Sequence, residues 1–219
     1  MSILKPFRFI HRIEIEGKAI EILEKMKQTP NYGLKFPLDA SRVAEFLGLD
    51  VVWDSIPADE HGTIAARILP LERLIEINED IPKLRTGFGE STIAHEIGHW
   101  VLHINPVGVD RFLRLQKKGV NIKVAPLLCR SVENLEGIEW QAQYFASCLL
   151  MPQFLLTKII QGKDLTKWSV LYQIADNLGV TISNLTHRLK DLDWIYLAED
   201  SRKIYWGNAA PVRKKQMVI

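Results

Sequence analysis

The chain has 219 residues, 47% of them hydrophobic, with 28 Lys and Arg against 26 Asp and Glu for a net charge of +2. That content suits a sizeable core in one domain, or one domain with a small appendage. The near-zero charge gives no general argument for nucleic-acid or membrane binding, and no stretch reaches the roughly 18 uncharged apolar residues of a membrane span.

The opening "MSILKPFRFIHRIEIEG" carries charges every few residues and no apolar core segment, so it does not read as a signal peptide. The expected compartment is the cytoplasm. A first helix is predicted over Lys18 to Lys27, ended by "TPNYG". "PLDASRVAEFLGLD" reads as a second helix, with Asp39 at its N-cap, Val43, Phe46 and Leu47 on its apolar face and Gly48 at its close. "VVW" at 51–53, "GTIAARI" at 62–68 and "RLIEIN" at 73–78 read as short strands of a small, partly antiparallel sheet. A histidine-bearing helix follows. Residues 104–135 are less regular and read as an insertion, with a basic stretch, "RFLRLQKKGVNIK", that suits a solvated surface or a lid. "EWQAQYFASCLL" predicts a long helix stopped at Met151-Pro152. Residues 167–192 predict two helices around Gly179, and "WIYL" and "KIYW" a hairpin across "AEDSR". The tail "VRKKQMVI" shows no pattern. Cys129 and Cys148 form no CxxC pair and are expected as reduced thiols.

The chemistry concentrates in "STIAHEIGHWVLH", residues 91–103. A helix turns about 100° per residue, so His95 and His99 lie one turn apart on one face. Ile93, Ile97, Trp100, Val101 and Ile104 cluster elsewhere, and the histidines are expected to look away from that packing. Two imidazoles one turn apart can grip one ion, and Glu96 beside the first can deprotonate a water on it. This is the HExxH arrangement of zinc peptidases. The same five-residue pattern also arises in helices that bind no metal. His103 lies about 12 Å along the axis from His95, too far to share an ion. It reads as a neighbour of the ligands or as an ordinary hydrogen-bonded helix histidine.

A third ligand is sought downstream among Glu133, Glu136 and Glu139. Glu139 stands on the same stripe as Ala142, Phe145, Ala146, Leu149 and Leu150. A carboxylate there needs a partner, and a metal would be one. Alternatively it turns outward in the first helical turn, where acids favour the helix dipole. Gln143, one turn on, could orient a ligating imidazole.

"IAHEIGHWVLH" together with "EWQAQYFASCLLMP" resembles the ImmA/IrrE metallopeptidase family, whose pattern is a HExxH helix ending in GHxxLH and then an ExxAxxFAxxLLMP helix. The resemblance covers roughly residues 37–195, with 104–135 poorly matched and Gly89 departing from the pattern before the helix. It implies Zn2+ held by His95, His99 and Glu139, with Glu96 as catalytic base, and His103 matches a histidine of the family pattern. It also implies a cytosolic endopeptidase acting on a helix-turn-helix repressor, in stress responses or mobile elements. The expected fold class is α+β. A small zincin-like peptidase domain over 1–165 would combine a short mixed sheet, the HExxH helix and a second ligand helix. A winged-helix-like unit would span 166–219.

That C-terminal unit opens an alternative: a non-catalytic metal-binding transcriptional regulator that touches DNA through it. Arg188 and Lys190 on its second helix would face the groove, but Asp191 and Asp193 follow at once, and a groove reader needs a clearer basic face. Closure of the metal by a fourth ligand, His103 or Cys129, would favour this alternative, because structural zinc sites are closed and catalytic ones open. For the group that stabilises the developing oxyanion, Tyr144, Arg130 and His187 are candidates of equal standing.

Overall fold

A computed structural model describes residues 3–85, 87–122, 124–130, 137–198 and 202–209. The fold is mixed α+β, and among the described residues no helix is long and apolar enough to cross a membrane.

Helix α1 spans Arg12–Gln28, a turn and a half earlier than the sequence predicts. "RIEIEG" alternates like a strand, yet Ile15 continues the buried stripe of Ala19, Ile22, Leu23 and Met26 at helical spacing. Helix α2, Ala40–Phe46, starts as expected: Asp39 accepts from the Arg42 amide.

Strands β1 (Asp50–Asp54), β2 (Ile64–Leu69) and β3 (Leu74–Asn78) lie where the alternation puts them. A fourth, β4 (Leu127–Arg130), completes a sheet of order β1-β3-β2-β4. β1 pairs parallel to β3, while β2 runs antiparallel to both β3 and β4. β4 therefore forms one edge.

Residues 104–135 are thus no simple insertion. They hold helix α4 (Pro106–Lys117) and the edge strand. Pro106 opens α4 at the first helical position, where its missing N–H costs nothing. Four residues give β4 too few alternations to read; its pairing with β2 defines it.

Helix α3 (Gly87–His103) runs through the middle of the molecule, against β2, β3 and α2 on one side and α5 (Ile138–Leu150) on the other. α5 in turn packs on α1. Pro152 stops α5 but caps a further helix, α6 (Gln153–Ile160), which the pattern does not announce. Helices α7 (Trp168–Leu178) and α8 (Ile182–Asp191) meet at Gly179, whose φ of 63° closes α7 in the left-handed region. β5 (Ile195–Leu197) and β6 (Ile204–Trp206) form the hairpin. One hydrophobic cluster takes in α1, the sheet, α3, α5, α7, α8 and both hairpin strands. The tail "VRKKQMVI", residues 212–219, lies outside the described residues.

Candidate metal centre

Helix α3 is buried along most of its length. The histidines do not look away from packing, as the apolar stripe suggested; α5 lies directly over them. His95 is 4% exposed, His99 2% and Glu96 0%. Gly98 makes this possible. A Cβ there would lie 2.9 Å from the Ala142 carbonyl oxygen and 3.0 Å from its Cα, so the two backbones approach as closely as a glycine allows. Gly89, the departure from the family pattern, sits inside the first turn of α3. A Cβ there would meet the Leu84 carbonyl oxygen at 2.1 Å, so the tight entry from the preceding turn requires a residue without one.

The three expected ligands converge. His95 Nε2 lies 3.0 Å from His99 Nε2 and 3.1 Å from Glu139 Oε2, and His99 Nε2 lies 3.4 Å from Glu139 Oε1. Glu139 turns inward on α5 rather than fraying outward. A tetrahedral zinc ion with nitrogen and oxygen donors at about 2.0–2.1 Å separates its donor atoms by about 3.3 Å. The spacing and the donor types fit that ion.

The electrostatics agree. Burial works against a cationic His95, yet its contact with Glu139 and the charge of Glu96 outweigh it and raise its pKa. Burial favours a neutral Glu139, but hydrogen bonds from His95 and His99 hold its carboxyl below the usual range. Without an ion, His95 and Glu139 thus stabilise each other's charged forms.

Glu96 stands apart. Neither carboxylate oxygen has a hydrogen-bond partner among the described residues, and burial pushes its pKa up. A buried carboxylate without a partner is costly unless something polar occupies the space before it. Cys129, on β4, faces this space: its sulfur, a His95 ring nitrogen and a Glu96 oxygen lie within 4.8 Å of one another. The thiol makes only a loose contact with Glu96, and burial raises its pKa well above the usual thiol value. Cys129 groups with His95 and Glu96, whereas the His95–His99–Glu139 set forms without it.

His103 lies behind the ligands. Its Nδ1 is 3.1 Å from His99 Nδ1, and its Nε2 is 3.0 Å from Gln141 Oε1. Burial lowers its pKa to about 4, so the ring is neutral. Gln143, one turn after Glu139 on α5, also helps to raise the His95 pKa. Gln141 was not singled out by the sequence. Its place two residues after Glu139 carried no signal, because which face of α5 meets the last turn of α3 depends on how the helices cross.

Beside the centre opens a cavity of about 240 Å³. Ser91 lies one turn before His95, and Gln143 one turn after Glu139, so the cavity begins a single helical turn from the ligands. Trp140 and Tyr144 form its aromatic wall, and Asn184 and His187 of α8 close it. Tyr144 and His187 thus share this cavity. Glu133 and Glu136 lie outside the described residues, as does the side chain of Arg130. Arg188 does not face outward. It is 0% exposed, its Nε donates to the Met151 carbonyl at 3.2 Å, and it pairs with Glu16 of α1.

No family model matches the chain, and no curated protein matches it. Among solved structures it is similar to a Mycobacterium tuberculosis transcriptional regulator, with a TM-score of 0.50 and 15% sequence identity over 81% of this chain. The match spans 46% of that protein, so this chain corresponds to less than half its length. At that identity the likeness is one of fold: a mixed α+β chain with a small sheet and many helices.

Proposed function

We propose that the chain is a zinc-dependent endopeptidase that hydrolyses a peptide bond in a regulatory protein. One observation carries this reading: two imidazole nitrogens and the carboxylate of Glu139 converge with contacts of 3.0–3.4 Å beside a fully buried carboxylate that has no partner among the described residues. His95, His99 and Glu139 would hold the ion. When bound, zinc lowers the pKa of its water to about 7 and polarises a carbonyl. Glu96, with its pKa raised by burial, accepts a proton from the attacking water and hands it to the leaving amine. Among the described residues three side chains, His95, His99 and Glu139, form this donor set, and a catalytic ion so held would keep its fourth position for water and substrate. The cavity between Trp140, Tyr144 and His187 is large enough for one substrate side chain.

The substrate class comes from the resemblance of the α3 and α5 motifs to the ImmA/IrrE family: a helix-turn-helix repressor. Zincin-like and winged-helix-like describe the two parts of the fold within the same proposal. The test is co-expression with a repressor encoded beside the gene. The wild type should cleave it, and Glu96→Gln should lose at least about a hundredfold in rate, as the general base contributes 10²- to 10⁴-fold. Equal cleavage by both forms would refute the mechanism.

A second reading, a metal-binding regulator that acts on DNA without catalysis, is favoured only by the name of the structural neighbour, a transcriptional regulator. The buried Arg188 weighs against it, since it removes a cation from the surface of α8.

A further inference from the structure

The contact between His99 Nδ1 and His103 Nδ1, at 3.1 Å, needs one proton: one ring donates and the other accepts. Which ring donates decides whether Nε2 of His99 is bare, and only a bare nitrogen can ligate an ion.

The answer comes from further out. The backbone carbonyl of Arg8 lies 3.0 Å from Gln141 Nε2. A carbonyl can only accept, so the Gln141 amide must turn its NH2 group to Arg8 and its oxygen inward. That oxygen lies 3.0 Å from His103 Nε2, which must therefore carry hydrogen. A neutral His103 then has a bare Nδ1, and it accepts from His99 Nδ1–H. The lone pair of His99 Nε2 is left pointing at His95 and Glu139. Turning the amide over would set two oxygens against each other in a buried place, where Gln141 is 1% exposed. It would also reverse every proton in the chain and put hydrogen on His99 Nε2.

The reference point is itself fixed. Lys5 N donates to the His103 carbonyl and Asn105 N to the Ile3 carbonyl, both at 2.7 Å, which clamps the N-terminal segment along the end of α3.

We propose that Gln141 is a positioning residue: through His103 it sets the metal-ligating tautomer of His99, taking its own orientation from the Arg8 carbonyl. The ion belongs to the peptidase reading above; the tautomer does not depend on it.

The test uses the full chain labelled with 15N. Long-range proton–nitrogen spectra of the imidazoles are recorded without metal and with zinc, at a pH above the histidine range. Hydrogen is expected on His103 Nε2 and His99 Nδ1 in both states. Zinc affinity is measured beside it by chelator competition. Gln141→Met keeps the shape and removes the acceptor. It should unlock the His103 tautomer and weaken zinc by about 10- to 100-fold, the usual effect of losing such a contact. Gln141→Glu keeps an acceptor for His103 Nε2 and should keep the tautomer pattern, while its second oxygen, set against the Arg8 carbonyl, should lower the melting temperature. Hydrogen on His99 Nε2 in the metal-free wild type would overturn the proposal, as would an unchanged spectrum and affinity in Gln141→Met. Failure of the wild type to take up zinc would remove the peptidase reading, while the metal-free spectrum would still decide the tautomer.

Discussion

His103 is a histidine kept neutral by its surroundings. Burial lowers its pKa from 6.5 to about 4, and the Gln141 contact only partly offsets this. A folded value below the unfolded one means that the unfolded chain binds the proton first as pH falls. The stability tied to His103 is thus full above pH 6.5 and is lost as pH falls towards 4. The displacement corresponds to at most about 3.4 kcal/mol, which solvent screening of the incompletely covered ring reduces to about 2–3 kcal/mol. His95, with its raised pKa, works in the opposite sense over the acid range. Comparison of metal-free wild type with His103→Asn isolates the His103 part. Urea unfolding at neutral and acid pH should show the wild type losing about 2–3 kcal/mol more than the variant. Parallel pH profiles would show that His103 is protonated in the native state. Spacing alone made His95, Glu96 and His99 legible, because 3.6 residues per turn fixes their mutual geometry. His103 was legible as too distant to ligate, but its partner was not, because Gln141 reaches it across a helix crossing that no local pattern encodes.

At the scale of elements, the centre depends on how closely α3 and α5 cross. Gly98 lies between His95 and His99, and the Ala142 backbone that it touches is one turn after Glu139. Gly98→Ala adds helix propensity of about 0.8–1 kcal/mol. However, the new methyl meets main-chain atoms at 2.9–3.0 Å, which cannot turn aside like a side chain. Overpacking of this kind costs about 1–3 kcal/mol. The variant should therefore melt lower than the wild type. It should also bind zinc more weakly, because the displaced helix carries Glu139 away from the imidazoles. Thermal unfolding by circular dichroism and chelator competition read the two effects. A higher melting temperature with unchanged zinc affinity would mean that the helices have room to spare. Elements with strong periodicity or clear caps were legible: α2 from Asp39, α5 from its apolar stripe, α7 and α8 from Gly179. The missed ones had weak local signals. α4 buries only Gly108 and Val109, α6 buries only Leu156, and β4 exists through its pairing with β2.

For the whole molecule, the question is whether residues 166–219 form a separate unit. The chain pattern suggests a boundary near 165, yet the packing crosses it. Leu171, Ile174, Leu185 and Leu189 belong to the same hydrophobic cluster as Ile15, Phe145 and Ile97. Arg188 of α8 reaches Glu16 of α1, 172 residues away in sequence, and holds the Met151 carbonyl at the end of α5 on the way. Its guanidinium also stands over the Tyr144 ring at 5.8 Å. A buried charge with such partners contributes little net stability by its presence, but removal of one member strands the other. Arg188→Ala should cost about 3–5 kcal/mol, because it strands the half-buried Glu16, leaves the Met151 carbonyl without its donor and empties the buried space the arginine fills. Arg188→Met combined with Glu16→Gln should recover most of that, because it removes both charges and keeps the volume. Because α8 also walls the cavity beside the metal centre, the loss should not be confined to the C-terminal segment. Calorimetry should show one unfolding transition in the wild type, and one at lower temperature in Arg188→Ala. Two resolved transitions, of which only one moves in the variant, would establish an independent C-terminal domain. In that case α8 would be free to leave the cavity, and the segment would have to be read as a separate binding module.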